Sequence, residues 1–251
     1  SAYNGMNTDD GHYLRQTLDT IIDNNKILHP KRSLKDHILE GYKLLRKLLA
    51  EQEDHSVVFI ALGPETNLAR LLISEADEYS ELDGKALVAQ KVKLLSVMGG
   101  LYGNEFDFPE WNIVNDLNAA QITFKEWPTP IIASGWELGN KIRYPHQSIL
   151  NDFAGSYKHP LCVSYKIYQE MPYDRETWDL TSVLQAIEPG NNYFNLSEKG
   201  TITIDSIGQS IFSPSESGKH QYLTIQGDGR KYSGNPQRTY KTSDRKRELK
   251  S

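Results

Sequence analysis

The chain has a single cysteine, Cys162, among 251 residues. An internal disulfide framework is therefore excluded, as is a zinc site built on cysteine ligands. Long apolar runs are missing too. The longest, such as Val57–Leu62, falls far short of the roughly 20 residues a transmembrane helix requires. The opening Ser1-Ala2-Tyr3-Asn4-Gly5 has no initiator Met and no apolar signal segment, so either something was removed or the sequence begins partway through a longer gene product. There is no GxxxxGK[ST] phosphate loop, no GxGxxG after a strand, no GxSxG elbow and no HExxH. The seven histidines show no metal-ligand spacing and read as surface or satisfied side chains.

What is present is an ordinary globular composition. Hydrophobic residues make up 38%, and with 18 glycines the apolar share reaches about 45%, enough for a proper core. The net charge of −5 is unevenly spread. Residues 230–251 hold eight basic and two acidic side chains, which leaves residues 1–229 with an excess of eleven acidic ones. An acidic body argues against a nucleic-acid partner, and the basic end reads as a solvated, disordered extension. Residues 1–229 are expected to form one α/β domain whose last stretch, 195–229, is a small β-rich end.

Periodicity supplies the elements. Ser33 can cap a helix whose stripe is Leu34, Ile38, Leu39, Tyr42, Leu45, Leu48 and Leu49, and Tyr13, Leu14, Leu18, Ile21 and Ile22 also fall at helical spacing. Val57–Leu62 is a continuous apolar run ended by Gly63-Pro64, as expected of a parallel strand covered on both faces, and Thr66–Leu72 reads as the next helix. The pattern recurs: a strand over residues 91–98 closed by Gly99-Gly100, a helix over 116–127, and a strand over 130–134. Trp178-Asp179 heads a helix over 180–187, and Thr201–Ile204, Ser210–Phe212 and Tyr222–Gln226 alternate like strands of a small meander. Strands alternating with helices predict an open, mostly parallel sheet with helices on both faces.

Ligands of such sheets lie beyond the carboxyl ends of the strands. That rule selects a polar set on three loops and a helix start: Thr66, Asn67, Asn104, Glu110, Asn112, Asn115, Asp116 and Asp179, beside Met98 and Trp111. Amides and carboxylates on one rim suit a polyhydroxylated ligand, since Asn both donates and accepts and Glu accepts from hydroxyls. Loops also favour Asn and Asp as turn formers and caps, and Asp116 is placed as a helix N-cap. Cys162 reads as a packed core thiol.

These residues resemble a family. Val57–Leu72 with its Gly63-Pro64-Glu65-Thr66-Asn67 turn, Val97-Met98-Gly99-Gly100, and Asn104 followed by Glu110-Trp111-Asn112 look like the inosine–uridine preferring nucleoside hydrolases. Asp116-Leu117-Asn118-Ala119-Ala120 is similar to that family's DPEAA helix, and Trp178-Asp179-Leu180-Thr181 to its late aspartate motif. The resemblance implies a nucleoside hydrolase-like, doubly wound fold and hydrolysis of a ribonucleoside or related glycoside by a calcium-activated water. It implies that Asp179 and the Thr66 carbonyl hold Ca2+, that Asn104, Glu110 and Asn112 hold ribose hydroxyls, and that Met98 lies near the sugar.

There are two departures. Trp178 stands where the family often has a histidine; an indole donates no proton at useful acidity but can stack on a base or wall off the pocket. The family's amino-terminal strand and DxDxxxDD cluster, which hold most of the calcium and supply the base, have no match. Asp9 and Asp10 follow no apolar strand and read as a turn or helix start. Residue 1 is therefore expected to correspond to a point past the first strand, with calcium weak or absent in this chain and the chain alone inactive. Without a first strand the sheet exposes a neighbouring edge or loses a central strand, and either favours aggregation or pairing with another chain, a homo-oligomer included. A non-catalytic sugar- or nucleoside-binding module is the alternative, and a metal-independent glycosidic-bond enzyme using Glu110 and Asp179 as a carboxylate pair is a third reading.

Overall fold

The computed structural model describes residues 13, 16–17, 20–22, 26–27, 39–103, 106–153, 159–190 and 192–225. Asn104, Ser33, the Asp9-Asp10 pair and the basic end lie outside the described residues. The chain divides into two units: one holds Ser1–Ala2, Gly41–Gly139 and Trp178–Ser251, the other Tyr3–Glu40 and Asn140–Thr177.

The larger unit is built on one mixed sheet. Its parallel strands are β3 (Val57–Ala61), β4 (Val92–Met98), β5 (Ile131–Ser134) and β11 (His220–Ile225), preceded in the chain by the short β1 (Ile21–Ile22) and β2 (Lys26–Ile27) of the other unit. The sheet continues antiparallel beyond β11 through β9 (Gly200–Ile204) to β10 (Ser210–Pro214), and β8 (Phe194–Leu196) also pairs with β11. The expected β-rich end is therefore present, and it is continuous with the main sheet. Around the sheet lie α1 (Gly41–Ala50), α2 (Thr66–Leu72), α3 (Gly84–Lys91), α4 (Trp111–Asn115), α5 (Leu117–Glu126), α6 (Trp136–Lys141) and α9 (Trp178–Ile187).

Alternation along β4 shows why helices cover both faces. Leu95 and Val97 are fully buried in a core with Leu68, Leu71, Leu87, Val88, Ala120 and Phe124 from α2, α3 and α5. Ser96 points the other way, where its hydroxyl lies 2.9 Å from the Ser182 carbonyl and hydroxyl on α9. Ser134 on β5 shares a 2.6 Å hydrogen bond with Thr181 of the same helix. Small hydroxyl side chains let α9 seat close on the sheet and find a polar partner for each buried oxygen. Among the described residues β3 ends the sheet, and Val58 and Ile60 on it and Leu62 just beyond remain between 36% and 39% exposed, so the run expected to be covered on both faces is open on one.

The other unit pairs β6 (Arg143–Tyr144) with β7 (Arg175–Glu176) and holds α7 (His146–Asn151) and α8 (Pro160–Tyr168). Cys162 is buried there as a core thiol, 3.6 Å from the Ile149 carbonyl. Ile21 and Ile22, placed by spacing on a helix, instead form a strand with Lys26 and Ile27, in keeping with the stiffness of β-branched side chains. The helix expected from Ser33 begins in the described residues at Gly41. No helix among the described residues is long and apolar enough to cross a membrane.

One buried cation organises the segment between α2 and α3. Arg46 on α1, completely buried, donates to both oxygens of Asp77 (2.6 and 3.0 Å), to the Ser74 hydroxyl and to the carbonyls of Ser80 and Leu82. Asp77 also accepts from the backbone of Tyr79 and Ser80, and the guanidinium beside it holds its carboxyl below the usual range. Arg46→Met should cost about 3 kcal/mol of stability, because it strands these acceptors without their donor. Arg46→Lys should recover little, since an ammonium cannot reproduce the planar fork. Urea unfolding of the three proteins checks both expectations.

Candidate functional site

Three strand ends deliver the loops selected from the sequence. After β3, Gly63-Pro64 turns the chain into α2 with Glu65 at the N-cap position and Thr66 as the first helical residue. After β4, Gly99 and Gly100 turn the chain away, and Gly100 takes φ +85°, a conformation that a side chain would strain. After β5, Gly135 leads directly into α6. The loops are stitched together by backbone: Gly99 N–H donates to the Ser134 carbonyl and Trp136 N–H to the Gly100 carbonyl.

Glu110 lies at the centre. It is the N-cap of α4, and its carboxylate accepts from the N–H groups of Asn112 (3.0 Å), Ile113 (3.3 Å) and Gly100 (3.3 Å). The sequence argument offered Glu110 as a holder of ligand hydroxyls or as one of a carboxylate pair with Asp179; the structure adds this capping role. Asn112 donates from Nδ2 to the carbonyl and the sulfur of Met98, each at 3.1 Å. Glu110, Asn112 and Met98 are therefore brought together, all buried. Thr66 is tied in from the neighbouring loop, its hydroxyl donating to Asp116 at 2.6 Å, while Asp116 caps α5 through Ala119 N–H as expected. Asn67 is exposed and lies against Gly41, and Asn115 bonds back to the Trp111 carbonyl, so these two serve local structure.

Asp179 is exposed on the first turn of α9, and its charge is one of the influences felt by Glu110. Trp178 stacks on Trp136 with ring centroids 6.2 Å apart, and Phe106 and Phe108 meet Trp136 edge-on at 4.9 and 5.0 Å. These four aromatic rings form one cluster, which the Trp136 N–H bond to the Gly100 carbonyl ties to the turn after β4.

One residue passed over as a loop position is prominent here. Glu65 is 1% exposed, and neither carboxylate oxygen has a hydrogen-bond partner among the described residues. It does not cap its helix. Burial pushes its carboxyl well above the usual range, and the charges of Glu110 and Asp116 push it further. Burial likewise raises Glu110 to about 7 against the pull of its three backbone donors, with Asp179 adding to the rise. Among the described residues no three His, Cys, Asp or Glu side chains come together to hold a metal ion. Calcium usually takes six to eight oxygens, so Asp179 and the Thr66 carbonyl do not by themselves make a site for it.

The fold has known counterparts. In fold the chain is similar to a purine-preferring ribonucleoside hydrolase from Gardnerella vaginalis, with TM-score 0.61 and 16% identity over 81% of this chain and 66% of that one. It is similar also to a plant nucleoside hydrolase, with TM-score 0.62 and 17% identity over 89% and 72% of the two chains. These likenesses define a nucleoside hydrolase-like α/β fold. Residues 5–235 match the family model described as inosine-uridine preferring nucleoside hydrolase, and the chain belongs to that family. Among curated relatives, the pyrimidine-specific ribonucleoside hydrolase RihA of an Enterobacter species is 30% identical over 114 residues, covering 45% of this chain and 33% of that protein. RihA of Escherichia coli is 32% identical over 101 residues, 39% of this chain and 29% of the relative. The matches thus span about a third of the length of these relatives.

Glu110 makes the fold sensitive to pH. Its carboxyl is raised from 4.5 to about 7 by burial, so its contribution to stability is complete below about 4.5 and is lost as pH rises through about 7. The stability of the native protein relative to Glu110→Gln should fall by roughly 3 kcal/mol between those limits. Urea unfolding of both proteins from pH 4.5 to 8 measures this, and a constant difference would contradict it.

Proposed function

We propose that this chain carries the sugar-binding part of a ribonucleoside hydrolase, and that a ribonucleoside sits against Glu110, Asn112 and Met98 with its base toward Trp136 and Trp178. The observation that supports the reading is the buried Glu110–Asn112–Met98 group at the end of β4, in a chain that belongs to the nucleoside hydrolase family. A carboxylate has about four acceptor positions, and three go to backbone N–H groups, so one remains for a ribose hydroxyl. Asn112 is oriented by its two bonds to Met98 and offers Oδ1 as a further acceptor. Asn104 would complete the clamp. Holding the sugar in one orientation is the positioning contribution to N-glycosidic cleavage.

The aromatic rings fit a flat, partly apolar leaving group. Trp178 supplies a face and no acidic proton, so in this reading the base is bound by stacking at that position. Calcium, which the family resemblance implies for the complete protein, would find Asp179 and the Thr66 carbonyl here and would bind this chain weakly. A second reading is a nucleoside-binding module without chemistry, since among the described residues no three metal-ligating side chains come together.

Calorimetry with inosine and uridine, together with a free-ribose assay in calcium or chelator, tests both readings. Binding of one nucleoside should weaken roughly tenfold in Asn112→Ala, the equivalent of about one hydrogen bond. Ribose release by this chain should be negligible with or without calcium. Failure to bind either nucleoside would sink the clamp, and calcium-dependent release would show that a metal site exists after all.

A further inference from the structure

The clamp just proposed rests on a loop whose shape is not set by the loop itself. Between β4 and α4 the described residues 99–103 and 106–110 belong to no helix or strand, and a connection of that length is long for a packed unit. We infer that the hairpin of β9 and β10 is the strap that supports it, with Ser210 as its positioning residue. This inference extends the sugar-clamp reading above.

Three consecutive residues at the start of the strap touch the loop. The Ser210 hydroxyl accepts from Leu101 N–H and donates to the Leu101 carbonyl, both at 2.8 Å, and so occupies both backbone groups of a residue that belongs to no strand. The approach is close: a Cβ on Gly100 would lie 2.9 Å from the Ser210 oxygen. Gln209 reaches the far side of the loop, its Nε2 donating to Asp107 Oδ1 at 2.8 Å. Gly208, at φ +90°, lies against the start of α4, where a Cβ would come 2.7 Å from Val114 and 3.3 Å from Pro109. The turn is itself firm, because Asp205 Oδ1 accepts from the N–H groups of Ile207 and Gln209 at 2.9 Å each. Gln121 on α5 then ties the turn down through the carbonyls of Ile204 and Asp205.

These contacts fall on Leu101, Asp107 and Pro109 and so run up to Glu110, where the clamp would be made. A purely structural hairpin would need only its buried face, which Ile202, Ile204 and Phe212 provide. Ser210 and Gln209 add little to that core, and their bonds run to the loop.

The test compares the full chain with Ser210→Ala, Ser210→Thr and, as a control on the same strand, the exposed Ser213→Ala. Hydrogen exchange of a peptide covering residues 99–103 should be at least about tenfold faster in Ser210→Ala, while a peptide covering β4 is unchanged. Affinity for inosine or uridine, whichever the native chain binds, should fall severalfold in Ser210→Ala, hold in Ser213→Ala and return in Ser210→Thr. Unchanged exchange at 99–103, or an equal rise in both peptides, would overturn the strap. So would faster loop exchange with undiminished affinity. If the native chain binds neither nucleoside, the clamp reading fails, and the exchange comparison still decides whether Ser210 sets the loop.

Discussion

The carboxylate of Glu110 is the joint on which the site depends. It gathers N–H groups from both ends of one long loop, Gly100 next to β4 and Asn112 and Ile113 at the start of α4. Without it, two buried helix-start donors and the N–H of a strained glycine turn would lack an acceptor, each at the cost of an unsatisfied buried group. With it, Asn112 is placed so that its amide reaches back to Met98 at the end of the strand. Strand end, turn and helix start therefore form one closed unit. The Tyr102 ring extends it inward, its hydroxyl donating to the Gly99 carbonyl while its backbone N–H meets Glu137.

The larger unit handles buried charge in two opposite ways. Arg46 and Asp77 are paired, and Ser74, Ser80 and Leu82 complete the set, which is the arrangement expected where a charge serves only the fold. Glu65 and Glu110 repel one another, both are pushed upward by burial, and neither carboxylate oxygen of Glu65 has a hydrogen-bond partner among the described residues. Leucine in place of Glu65 would fill the space beside Val97, Gly99 and Ile113 without that desolvation penalty. A fold under selection for stability alone has no use for such a group. Perturbed carboxyls of this kind cluster at functional sites, and these two coincide with the loops that the strand-end rule selects.

Much of this was legible in the sequence, for identifiable reasons. β3, β4 and β5 are short apolar runs stopped by Gly63-Pro64, Gly99-Gly100 and Gly135, so their positions follow from local chemistry. Asp116 announces itself as a cap by its place before a helical stretch. α3 went unread because its buried side chains, Leu87 and Val88, are adjacent and make no stripe, although Asp83 caps it. The burial of Glu65 could not be read, since a glutamate in a Gly-Pro turn looks solvated until α5 and the β4 loop are packed around it. Ser210 was legible only as part of a strand, because its partner Leu101 lies 109 residues away.

That long-range partnership follows from how the sheet ends. β11 runs parallel to β5 and meets β9 at a single ladder position, His220 opposite Gly200, so the hairpin is only lightly committed to the sheet. The His220 ring adds one more tie by accepting from Ile202 N–H at 2.9 Å. At that junction Gly200 is obligatory in practice, since a Cβ there would lie 2.5 Å from the Phe212 ring. A strand pair attached so narrowly keeps hydrogen-bonding capacity for other partners, and Ser210 spends it on Leu101 in the loop after β4. The candidate site accordingly draws on residues 65, 98–103, 106–112, 136, 178 and 208–210, from nearly the whole length of the larger unit. A shorter segment would retain the motif residues and lose the contacts that orient them.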